Sequence, residues 1–160
     1  MKIVPARISH LPQIFELWKE FIDYHRDIDP HYTRRKDAVK NFEKYIRQLM
    51  KSKDARVIVA LEGEAVIGFS TGKIELYPPV FLQESYGFID TFGVKSCFRR
   101  KGVGEKMLKN LFAWFKKRGL DRIELRVAAK NRIGYSFWKK QKFKDYLHIL
   151  YLEENKSENR

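Results

Sequence analysis

The chain has 160 residues, 44% hydrophobic and 14% aromatic, which suits one packed domain and excludes a disordered chain poor in aromatics. A single cysteine, Cys97, rules out an intramolecular disulfide framework. Neither the start MKIVPARISH nor any later run reads as a signal peptide or a membrane span, so a cytoplasmic protein is expected. The formal charge of +13 favours anionic ligands, nucleic acid or acidic partners, and the 33% charged fraction also fits the Lys- and Glu-rich surfaces of heat-adapted proteins.

Taken in chain order, Lys2 to Arg7 reads as a strand, and Ser9 is placed to cap a helix with Leu11, Ile14, Phe15, Trp18, Phe21 and Ile22 on one face. The polar, proline-broken stretch His25 to Tyr32 is predicted as a loop, and a second helix follows from about Arg35 to Met50. Arg56 to Leu61 and Ala65 to Leu76, joined by Glu62-Gly63-Glu64, read as a hairpin, and Tyr86 to Val94 as the next strand. Val103 to Lys117 has helical periodicity, with Gly119 at the expected C-terminal cap. Ile123, Leu125 and Val127 then alternate with charged residues as a strand, which predicts a parallel strand-helix-strand unit. A short helix from Asn131 to Gln141 and a last strand from Tyr146 to Leu152 complete one α/β domain, 1–152, with a mixed sheet; 153–160 is a polar tail.

The chemistry concentrates where the strand ending at Val94 passes through Arg99-Arg100-Lys101-Gly102-Val103-Gly104 into a helix. A helix start offers unpaired N–H groups and the positive end of the helix dipole. Gly102 and Gly104 leave room for an anion to approach, and the three basic side chains add charge, so a diphosphate suits the loop. The spacing matches neither the dinucleotide-binding G-x-G-x-x-G nor the G-x-x-x-x-G-K-[ST] phosphate loop.

These residues resemble the GNAT superfamily of N-acetyltransferases, in which a valine-ended strand leads into a [Q/R]-x-x-G-x-[G/A] loop and a long helix. Asn131-x-x-Gly134-x-x-Phe137-Trp138-x-x-x-Lys142-Phe143 resembles the second motif of that family, N-x-x-A-x-x-F-Y-x-x-x-G-F. Gly87 to Val94 is similar to the corresponding strand of diamine acetyltransferases. The resemblance implies a mixed, mostly antiparallel central sheet flanked by helices, with acetyl-CoA as cosubstrate and an amine as acceptor. It implies that Phe92, Gly93 and Val94 hold the pantetheine arm, that Arg99 to Gly104, Val103 included, hold the pyrophosphate, and that Asn131 and Trp138 meet the arm from the other side. Trp138 stands where the family has a tyrosine acid, and Lys142 where it has a glycine.

Asp90 is a carboxylate in the otherwise apolar Phe88-Ile89-Asp90-Thr91-Phe92, costly to bury unless paired or functional, and is the expected helper in deprotonating the amine. Glu84 is a weaker alternative. Tyr135, one turn before Trp138, is the expected auxiliary donor. The four histidines lack metal-ligand spacing, so no metal is expected, and Cys97 has no histidine nearby to support a covalent route. No membrane or nucleic-acid partner is expected, and a homodimer is compatible with the sequence. The alternative reading is a non-catalytic module of the same fold that binds nucleic acid or an acidic protein.

Overall fold

The computed structural model describes residues 1–154. Its elements are β1 (Lys2–Pro5), α1 (Leu11–Ile28), α2 (Ala38–Lys51), β2 (Ala55–Glu62), β3 (Ala65–Leu76), β4 (Ser85–Val94), α3 (Val103–Lys117), β5 (Ile123–Leu125) and α4 (Arg132–Lys140). The five strands form one sheet in the order β1-β2-β3-β4-β5. The first three pairings are antiparallel and β4 runs parallel to β5, with α3 as the crossover between them. This is the mixed, mostly antiparallel sheet expected above.

Both faces of the sheet are covered. One carries α1 and α2, packing Leu11, Ile14, Leu17, Phe42 and Ile46 against Val57, Val59, Val66 and Phe69. The other carries α3 and α4, packing Met107, Leu111, Phe115 and Trp138 against Ile58, Ala60, Ile67 and Ile89. Burial on both sides is why β2 reads as the unbroken apolar run Val57-Ile58-Val59-Ala60 rather than as an alternation.

Two helix ends are closed by glycine-type caps. Past α3, Gly119 takes φ +73° and its N–H reaches the Lys116 carbonyl, while Leu120 N–H reaches that of Phe115. Past α4, Lys142 does the same at φ +68°, with Lys142 N–H on Lys139 and Phe143 N–H on Trp138, so a lysine occupies the left-handed position. The cap folds the Phe143 ring back to 5.2 Å from that of Trp138.

Three expectations are corrected. Ser9 lies inside a 3₁₀ turn, Ile8–His10, and His10 precedes the first residue of α1. The helix runs on through Tyr24 and His25 to Ile28, because the proline that stops it is Pro30 and the polar residues before that still have helical neighbours. Tyr146 to Leu152 forms no strand among the described residues, and Tyr146, Leu147, Ile149, Leu150, Tyr151 and Leu152 are exposed. The segment is rich in apolar residues, but the hydrogen-bond partner a strand requires is not supplied by β5, which itself pairs with only three residues of β4. Of the expected tail, 155–160 lies outside the described residues.

Candidate active site

The site begins where the sheet comes apart. Parallel pairing of β4 with β5 stops at Ile89↔Leu125, and beyond it the two strands diverge. At the same point the ladder between β3 and β4 goes from Thr71↔Thr91 to Gly72↔Ile89, so Asp90 is an extra, bulged residue. The bulge shifts the alternation of β4: Ile89 and then Phe92 and Val94 face the α3 side, while Gly93 approaches Phe21 of α1. The gap is a cleft of about 880 Å³ lined by β4 from Ile89 to Val94, by Leu125, Arg126 and Val127, by α1, by the first turn of α3 and by α4.

At one end stands the basic loop. Gly102 takes φ +77°, a left-handed conformation that lets the chain turn sharply into α3. The first bond into that helix is Lys106 N–H to the Gly102 carbonyl, so the N–H groups of Val103, Gly104 and Glu105 have no acceptor within the helix. Arg99, Arg100 and Arg132 line this end, with Lys140 paired to Glu105 at 2.8 Å. The Lys140 pair holds the Glu105 carboxyl below the usual carboxylate range. Arg99 is itself positioned, since its Nε–H donates to the Val94 carbonyl at 3.0 Å and its guanidinium lies 5.7 Å from the Tyr24 ring centre.

At the other end Asp90 is exposed, its carboxylate accepting a hydrogen bond from the Tyr45 hydroxyl of α2. Burial, then the bond to Asp90, pushes the Tyr45 phenol well above its ordinary range, so it remains a donor at any physiological pH. The wall between the two ends is made by Asn131, 8% exposed, with Tyr24 and the buried His25 of α1 beside it.

The structure brings together Asp90, Phe92, Gly93, Val94, Arg99, Arg100, Gly102, Gly104, Asn131 and Trp138 around this cleft. It does not bring in Tyr135, whose hydroxyl donates to Asp145 on the outer side of α4. Tyr135 and Trp138 were expected to share a face, but Trp138 is 8% exposed and Tyr135 41%. The Trp138 indole is packed among the rings of Phe92, Phe137 and Phe143. Val103, the first residue of α3, is buried in the core, and Lys101 and Cys97 are exposed outside the cleft lining. Glu84 lies in the exposed loop before β4. A Cβ on Gly104 would sit 3.1 Å from the Phe137 ring, so this glycine serves the approach of α3 to α4 as well as the opening of the loop.

Phe21, Tyr24 and His25 line the cleft although the sequence did not mark them as site residues. Their spacing of three and four carried the signal once α1 is continued past Ile22.

The arrangement fits the cosubstrate that the motifs implied. Free N–H groups and mobile cations at one end suit a diphosphate, the cleft is elongated between two diverging strands, and a held carboxylate stands at the far end.

Comparison with known proteins gives the family and the fold. A model of the acetyltransferase (GNAT) family matches residues 12–143. An uncharacterized N-acetyltransferase of Archaeoglobus fulgidus is 28% identical over 122 residues, covering 76% of this chain and 80% of its own. Among solved structures, a tetramutant of a Bacillus halodurans protein superposes with TM-score 0.87 at 18% identity, over 96% of this chain and 100% of that one. A predicted acetyltransferase from Clostridium acetobutylicum, solved with acetyl-CoA, gives 0.77 at 19% identity over 95% of each chain. The family match does not extend to a likeness with diamine acetyltransferases in particular, and these relatives give no support to a non-catalytic module. Among the described residues no helix is long and apolar enough to cross a membrane. The chain is an acyltransferase and belongs to the acetyltransferase (GNAT) family.

Proposed function

We propose that the chain transfers the acetyl group of acetyl-CoA directly to a primary amine held at the Asp90 end of the cleft. The observation that carries this reading is the parting of β4 and β5 at the Asp90 bulge, which makes one cleft with a basic helix start at one end and a held carboxylate at the other. Arg99, Arg100 and the N–H groups at Gly102 to Gly104 would hold the pyrophosphate, and Phe92 to Val94 the pantetheine arm, with Asn131 and Trp138 opposite. Bound acetyl-CoA supplies the activated acyl group.

The chain's own task is to prepare the nucleophile. A lysine-like amine with a pKa near 10.4 is neutral in only about one molecule in a thousand at pH 7. Asp90 has one carboxylate oxygen occupied by Tyr45 and the other available to accept the proton, directly or through a water. Backbone N–H groups of β4 near Val94 provide donors for the oxyanion, in a segment that has lost its β5 partner.

The test is to incubate the protein with acetyl-CoA and a panel of diamines, aminoglycosides, lysine peptides and peptides with free amino termini, and to measure CoA release. Release that depends on an amine is expected; a protein that binds CoA yet releases none with any amine class would overturn the reading.

A further inference from the structure

Asn131 is held in a single orientation by groups from two elements. Its Oδ1 accepts from the Gly134 N–H at 2.9 Å, capping α4, and from the Tyr24 hydroxyl at 3.2 Å. That side is therefore fully used, since a carboxamide oxygen has two lone pairs. The Nδ2 must face His25, whose Nε2 lies 3.4 Å away. The histidine is itself fixed, because its Nδ1 lies 2.8 Å from the Phe21 carbonyl and only an N–H can be bonded there. Nε2 of the neutral ring is then an acceptor for Asn131 Nδ2–H. A Cβ at Gly134 would lie 2.6 Å from Asn131 Nδ2, so the carboxamide would have to shift to make room for it.

One hydrogen of Nδ2 thus goes to His25, and Asn131, a cleft-lining residue, has the other left to give. We infer that Tyr24 and His25 of α1 are positioning residues that fix the polarity of Asn131, so that the contact with the pantetheine arm in the cofactor reading above is made by an N–H given to a carbonyl of the arm. The inference rests on the cofactor reading above. It is specific about sign: a site that needed an acceptor here would find both lone pairs of Oδ1 taken. The arm, an extended chain with two amides, carries the carbonyls such a donor requires.

Equilibrium binding separates this from a structural role if two ligands are compared, CoA itself and its 3′-phosphorylated ADP moiety, which has no arm. Asn131→Asp keeps the shape and the Oδ1 partners but replaces the donor with an acceptor, and should weaken CoA binding about tenfold, the scale of a lost hydrogen bond with an unpaired group left behind. His25→Leu should weaken it about fivefold by freeing the carboxamide, and His25→Gln, which restores an acceptor, should return to within about twofold of the parent. Affinity for the ADP moiety should be unchanged in all three. The inference fails if Asn131→Asp binds CoA as well as the parent, if both ligands weaken together, or if His25→Gln is as impaired as His25→Leu. Should any variant fail to fold, Tyr24→Phe, which retains the ring, reads the same network and must weaken CoA but not the ADP moiety. A parent protein that binds neither ligand would instead overturn the cofactor site itself.

Discussion

Asp90 owes its position to being the residue of β4 that the ladder with β3 skips, and the bulge turns a carboxylate in an apolar run out to the surface and onto the Tyr45 hydroxyl. Replacing it with Asn removes the proton acceptor while keeping the shape. We expect kcat/KM to fall about 10²-fold, with part of the loss recovered at higher pH where more of the amine is already neutral. CoA affinity should not change, because Asp90 stands at the far end from the basic loop. Tyr45→Phe leaves the carboxylate in place but unheld and should cost about tenfold or less. Tyr135→Phe should be silent in the same pH-rate measurement, since that hydroxyl is engaged with Asp145 outside the cleft. An apolar run interrupted by Asp90 was readable from the chain. Its partner was not, as Tyr45 lies 45 residues away on another element.

Among the elements, α4 and its cap have the clearest energetic consequence. The position after the helix takes φ +68°, where a side chain crowds the backbone, and Lys142 is exposed. Lys142→Gly should therefore raise stability by about 0.5–1 kcal/mol, the relief of left-handed strain less the extra freedom that glycine gives the unfolded chain. A rise in Tm with unchanged CoA affinity would confirm it; an unchanged or lowered Tm would show the lysine to be accommodated without strain. The glycine missing from the second motif was visible in the sequence, and the backbone angle supplies its physical meaning. By contrast α1 is longer than its local composition suggests. Pro30 and the polar run before it suggested a break, yet the helix continues far enough to carry Tyr24 and His25 to the cleft. Local composition underestimates a helix whose last turn is held by tertiary contacts, here the approach of His25 to Phe21, Tyr32 and Asn131.

For the whole molecule, a formal charge of +13 surrounds a cleft whose proposed guest is anionic. Such a field raises the rate of encounter and is screened by salt, with a Debye length of about 10 Å at 0.1 M. Stopped-flow association of CoA should slow several-fold between low salt and about 0.15 M, while Arg99→Gln combined with Arg100→Gln should raise the dissociation rate and flatten only part of that dependence. A rate indifferent to salt would show that the charge serves the surface and not the ligand.

Much of the architecture follows from the chain itself. The apolar period of α3, the cap at Gly119, the β2–β3 hairpin and the strand-loop-helix junction at Val94 to Gly104 are local patterns set by neighbours a few residues apart, and the structure has them where those patterns place them. Only the tertiary structure could decide which residues meet. The separation of β4 from β5, the turning of Asp90 toward α2, the exclusion of Tyr135 and the joining of Tyr24 and His25 to Asn131 each depend on contacts between elements distant in sequence. Periodicity records the face a residue presents to its own helix or strand, whereas a site is made where the faces of different elements converge, and that convergence is fixed by packing.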